Sequence, residues 1–164
     1  MADVHHNFPE KVEDAVATFL ASALPAYSAT LTTPLVTAHS GATIKRGMGF
    51  DDTEPPFISV AMPSGTQAVE VSPGSYLIEI LVAVCTSKKS NASLTLAQDR
   101  VNHGRFAGAV ADLFYDSGII GYLNTAAAGT VTFQRIEPGR KVTRGVDGSM
   151  RQTVLSLTFR INPV

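Results

Sequence analysis

The sequence predicts one α+β domain over residues 1–164: a mostly antiparallel sheet with two helices packed on one face and a C-terminal β-hairpin. Three observations predict it. Two segments, 12–24 and 96–114, space their apolar residues three and four apart, as one face of a helix requires. Between them lie short apolar or alternating runs bounded by Pro and Gly, which read as strands. After the second, a run with Leu155, Leu157, Phe159 and Ile161 at alternate positions follows the turn Val146-Asp147-Gly148-Ser149, the pattern of a hairpin with one buried face.

The first helix carries Val12, Ala15, Val16, Phe19, Leu20, Ala23 and Leu24 on one face. Asn7 is its expected N-cap, with Pro9 and Glu10 in the first turn, and Pro25 is expected to stop it. From Tyr27 to Pro56 the periodicity is poor, so a connection of about 30 residues is expected, with a short strand at Ala42–Arg46. Phe57–Met62 and Gln67–Val71 read as strands, and Ser72-Pro73-Gly74-Ser75 has proline and glycine where a type II turn places them. Tyr76–Thr86 reads as a long central strand, apolar on both faces. One face should carry the helices and the other should meet something else, such as a further subunit. Ser87–Ser93 is a polar loop.

Thr95 and Gln98 form a capping box for the second helix, whose expected core positions are Leu96, His103, Phe106, Ala107, Val110, Leu113 and Phe114, with Gly118 as C-cap. Gly104 and Gly108 each cost about 1 kcal/mol relative to alanine, which implies a close backbone approach there. The hairpin begins with Val131–Ile136 and Lys141–Gly145. Counting back from its turn pairs Ile136 with Phe159 and sends Phe133 to the other face, unless a bulge at Glu137-Pro138-Gly139 changes the register.

Composition limits function. Hydrophobic residues make up 45% and charged residues 16%, below the roughly 25% usual in soluble domains, which excludes a disordered tail and a supercharged binder. The 29 Ser plus Thr and 20 Ala point to a small, neutral exterior suited to packing against other chains. Cys85 stands alone, so neither an intrachain disulfide nor a cysteine zinc cage is expected. No apolar run is long enough for a membrane helix, and the N-terminus lacks the basic-then-apolar order of a secretory signal, so no membrane and a cytoplasmic origin are expected.

No catalytic constellation stands in the sequence: no GxSxG, HExxH or P-loop, and Gly47-Met48-Gly49 lacks the third glycine of a dinucleotide fingerprint. His103 reads as a hydrogen-bonded core histidine, and His5 and His6 as solvated neighbours. Asp51, Asp52 and Glu54 lack the ladder of a calcium loop. No cofactor, metal or catalytic residue is therefore expected. Glu79, inside the central strand, needs a donor or basic partner or an interface.

Charge is divided along the chain. Residues 1–86 hold nine acids and three bases, net −6, and residues 87–164 hold five acids and ten bases, net +5. Arg135, Arg140, Lys141, Arg144 and Arg151 form a basic ribbon within 17 residues. With Glu79 they are the candidate interface residues. A ribbon docking on the acidic half of another copy explains both features; phosphate contact explains only one, and aromatics interleaved with the bases are missing.

The order of elements, with Ile44-Lys45-Arg46-Gly47 before Pro55-Pro56-Phe57-Ile58-Ser59-Val60, then Asp99, His103 and Val110-Ala111-Asp112-Leu113, then the Asp147-Gly148 hairpin, resembles the tail terminator and tail-completion proteins of long-tailed bacteriophages, also found in gene-transfer particles. The resemblance implies a non-enzymatic ring, usually a hexamer, that caps the tail tube and joins it to the head-side neck. It implies as partners further copies of itself, a tail tube protein and a neck or stopper protein. DNA would pass through the lumen without sequence-specific binding. The protein would be made in a host bacterial cytoplasm and reside at the tail–neck junction of the virion. A head-side neck or stopper protein is the nearest alternative, and a small nucleic-acid-binding module is the alternative from another class.

Overall fold

Alternating apolar residues build the sheet, and apolar stripes at helical spacing cover one of its faces. The computed structural model describes residues 8–47, 54–63, 67–88, 95–147 and 150–163. In chain order the elements are α1 (Phe8–Thr30), α2 (Thr37–Ser40), β1 (Thr43–Arg46), β2 (Phe57–Ala61), β3 (Val69–Ser72), β4 (Ser75–Ser87), α3 (Leu96–Tyr115), α4 (Ile119–Ala127), β5 (Val131–Asp147) and β6 (Met150–Pro163). The fold is α+β. Its strand order is β1-β2-β4-β6-β5, with β3 on the β4 edge that β2 also uses. All pairings are antiparallel except β1 with β2, so the sheet is mixed.

Register decides which side chains meet the helices. Ile58 and Val60 of β2, Ile78, Ile80, Val82 and Val84 of β4, and Leu155, Leu157, Phe159 and Ile161 of β6 lie on one face. There they form a core with Val12, Val16, Phe19, Leu20 and Leu24 of α1, Phe106, Val110 and Phe114 of α3, and Leu123 of α4. On the opposite face Phe57, Ala61, Ala83 and Cys85 are buried apart from that core, while Leu77, Leu81 and Val154 are half-buried.

The two expected helices are α1 and α3, and two shorter ones join them. The helix α1 passes through Pro25 to Thr30 instead of stopping there. Pro25 lies on the exposed side, where solvent satisfies the carbonyl of Ala21 that its missing N–H releases. Beyond it Ser28 stays buried and its Oγ accepts the Leu35 N–H at 2.9 Å. The expected cap Asn7 lies outside the described residues, as does most of the polar loop after Lys88. The long connection is partly regular: its first residues belong to α1, and α2 and β1 follow.

Thr95 and Gln98 do form the capping box of α3. Leu96, an expected core position, is instead 58% exposed because it lies in the first turn, beyond the sheet. The helix ends at Tyr115, and Gly118 is the N-cap of α4, donating its N–H to Asp116 Oδ1 at 2.7 Å. Among the described residues no side chain or backbone lies within 4 Å of a Cβ built at Gly104 or Gly108, outside the helix's own turns, so none of them exploits the missing side chains. Asn124 of α4 brackets Phe133, taking its N–H at 2.7 Å and donating to its carbonyl at 3.1 Å.

Ile136 pairs with Phe159 as counted, but Phe133 does not leave the core. A register shift between Phe133 and Arg135 sets Phe133 opposite Ile161, edge-on to Phe159 at 5.4 Å. A second shift, between Pro138 and Lys141, falls where the sequence suggested a bulge. There a Cβ on Gly139 would stand 2.9 Å from the Ser156 carbonyl oxygen, so the close approach requires glycine.

Candidate assembly surfaces

The five bases of the ribbon do not act alike. Arg140, Lys141 and Arg144 are exposed on β5, an edge strand, and Arg144 Nε donates to Gln152 Oε1 at 3.3 Å. Arg135 is exposed but paired with Glu137 at 3.0 Å. Arg151 is not a free interface residue: its Nε donates to Asp99 Oδ2 at 2.8 Å, fastening β6 to the first turn of α3. Glu79 is half-buried on the helix-free face and accepts a hydrogen bond from Ser156 Oγ at 2.7 Å, which supplies the donor its burial demands.

Besides Glu79, three acids of the first half are engaged within the chain. Asp14 pairs with Arg46 at 2.9 Å, Glu13 accepts the Met62 N–H at 2.8 Å, and Glu70 accepts the Gly74 N–H at 3.1 Å. Asp51 and Asp52 lie outside the described residues, as do His5 and His6. Among the described residues no group of three or more His, Cys, Asp or Glu side chains is placed to hold a metal ion. No described helix is long and apolar enough to cross a membrane.

His103 is the centre of a closed polar cluster. Its Nδ1 lies 2.7 Å from Thr86 Oγ1 and its Nε2 lies 2.7 Å from Thr153 Oγ1, which in turn meets Thr143 Oγ1 at 2.8 Å. Burial, reinforced by the nearby Arg151 cation, pushes the imidazole down to about 4, against a smaller opposing pull from Asp99. His39 stacks on Phe106 at 4.7 Å, and burial lowers it too. His103 is 3% exposed and both nitrogens are occupied, so the cluster joins β4, β5, β6 and α3 and offers a substrate no approach. Burial pushes the Cys85 thiol up, keeping it protonated and inert.

Two surfaces were not readable in the sequence. Between α1, α4 and the end of α3 runs a groove of about 560 Å³, floored by Phe19 and Leu113 and walled by Ala23, Ala26 and Tyr122, with Asp116 at its rim. The rings of Phe19 and Tyr122 lie parallel at 6.2 Å. Beyond Tyr27, whose hydroxyl donates to Asp112 at 3.0 Å, a second recess of about 470 Å³ continues towards Arg105. The guanidinium of Arg105 donates to the carbonyls of Thr33 and Pro34. The other surface is the helix-free face of β5, where Val142, paired with Val154, is 45% exposed. Val142 stands between Lys141 and Arg144, a sequence signal that attention to charge alone passes over.

No protein-family model matches the chain, and no curated protein matches it.

Proposed function

We propose that the protein is a structural ring subunit of a phage or phage-like tail, capping the tail tube and joining it to the head-side neck. The observation that carries the reading is the one-sided fold. Every described helix that contributes to the core packs on one face of the sheet, and the other face keeps Leu77, Leu81 and Val154 half-buried and Val142 exposed. A sheet surface of that kind suits contact with neighbouring subunits. The resemblance in element order supports the same reading, and the closed His103 cluster supports a role in assembly rather than turnover.

Negative-stain images of the purified protein should show closed rings. Deleting its gene from a producing phage or particle should leave tails unjoined to heads, restored by the supplied protein. A protein that stays monomeric, with tails assembled normally in its absence, would overturn the proposal. The exposed trio Arg140, Lys141 and Arg144 favours one other reading, a small nucleic-acid-binding module; DNA affinity that falls steeply with salt in the isolated protein would support that one instead.

A further inference from the structure

We infer that the β5 segment Arg140–Arg144 of one copy docks in the α1–α3–α4 groove of the next, a heterologous contact that builds the ring. The inference takes its occupant, a second copy, from the ring reading. Its support is complementarity between two surfaces of one chain. The groove is apolar along Phe19, Ala23, Ala26 and Leu113 and carries the carboxylate of Asp116, with Asp112 one turn of α3 earlier. The segment presents one apolar side chain, Val142, with Arg144 on the same helix-free face, Lys141 on the other face opposite Leu155, and Arg140 exposed at the register shift before them.

The two surfaces cannot meet within a chain. Val142 pairs with Val154, whose neighbours in register belong to the helix-free face, whereas the groove lies on the outside of the helices that cover the other face. Matching surfaces on opposite sides of one molecule make a head-to-tail contact, which closes into a ring when the rotation between copies permits it. Val142 supplies apolar contact at the centre, and the charges around it set orientation. The edge strand itself is a poor template for strand pairing: register shifts after Phe133, Pro138 and Gly145 interrupt it, and bases line it. Docking through side chains is therefore the mode left open to it.

The test uses two substitutions at exposed positions, Val142→Glu on the segment and Ala26→Arg in the groove, in the full-length protein. Each should weaken self-association by more than about tenfold in sedimentation velocity, with a thermal midpoint within about 3 °C of wild type. Mixed together, V142E and A26R should form at least a one-to-one dimer, because V142E keeps an intact groove and A26R an intact segment, while the remaining contact sets the introduced carboxylate against the introduced guanidinium. Self-association of either variant at wild-type strength, or no pairing in the mixture, would overturn the inference. Rings in wild type with no mixed dimer would sink this contact and leave the ring reading standing. A mixed dimer with open filaments in wild type would do the reverse, and a wild type that stays monomeric would overturn both.

Discussion

At His103 the imidazole lies between two threonine hydroxyls in a site that excludes water, which favours its neutral form. Its value falls from 6.5 to about 4 on folding, so the unfolded chain binds more protons between those limits. Stability should therefore be complete above pH 6.5 and fall as pH drops towards 4, by at most about 3 kcal/mol. His39, lowered in the same direction, adds to the slope. Urea midpoints at pH 4.5 and 7 should differ in wild type and differ much less in His103→Gln; equal pH dependence in the two would contradict the assignment. The substitution itself should cost about 1–3 kcal/mol at pH 7, because it disturbs the partners of two buried hydroxyls. That His103 is a core residue was legible from its place on the apolar face of the second helix. The two hydroxyls that hold it come from β4 and β6, and spacing along one helix carries no information about them.

The hairpin is where sequence and structure diverge most, and the cause is local geometry. Its alternation revealed β6, but the face of Phe133 depended on a bulge at Gln134 that no Gly or Pro announces. The bulge flagged by Pro138-Gly139 was real, and its glycine is tested by Gly139→Ala, expected to destabilise by about 1–3 kcal/mol because the added methyl meets the Ser156 carbonyl. Among helices, α4 has a readable apolar spacing in Ile119, Leu123 and Ala127, hidden by Gly121 and its short length. Pro25 misled in the opposite sense, since burial of Leu24 and Ser28 on either side of it outweighs one lost hydrogen bond. Arg151 shows how an element contact changes a residue's meaning. Read as one base of a ribbon it looked free, but it secures α3 to β6. Arg151→Ala should cost about 2–4 kcal/mol by leaving Asp99 buried without its cation, whereas Arg144→Ala should change stability by less than about 0.5 kcal/mol. Chemical denaturation of the pair distinguishes the two roles, and similar losses in both would contradict it.

Across the whole molecule the strand order keeps the two halves of the sequence apart in the sheet: β1, β2 and β4 on one side, β6 and β5 on the other. The helix α1, which carries Glu10, Glu13 and Asp14 of the first half, packs across this divide against α3 and α4 of the second. Asp14, Glu13 and Glu70 of the first half are engaged within the chain, and on β5 Glu137 pairs with Arg135, while Arg140, Lys141 and Arg144 stand exposed along the edge. Exposed ion pairs contribute about 0–1 kcal/mol each, so removing one base should change little. Reversing three changes the sign of the whole edge. The combined variant Arg140→Glu, Lys141→Glu, Arg144→Glu should abolish assembly while its thermal midpoint stays within about 3 °C of wild type, because all three side chains are exposed and none holds the core. Normal rings and joined tails from this variant would show that the edge faces solvent in the particle. A collapse of monomer stability would show instead that the bases support the fold, with Lys141 the first to examine, since its pairing with Leu155 turns it towards the helices.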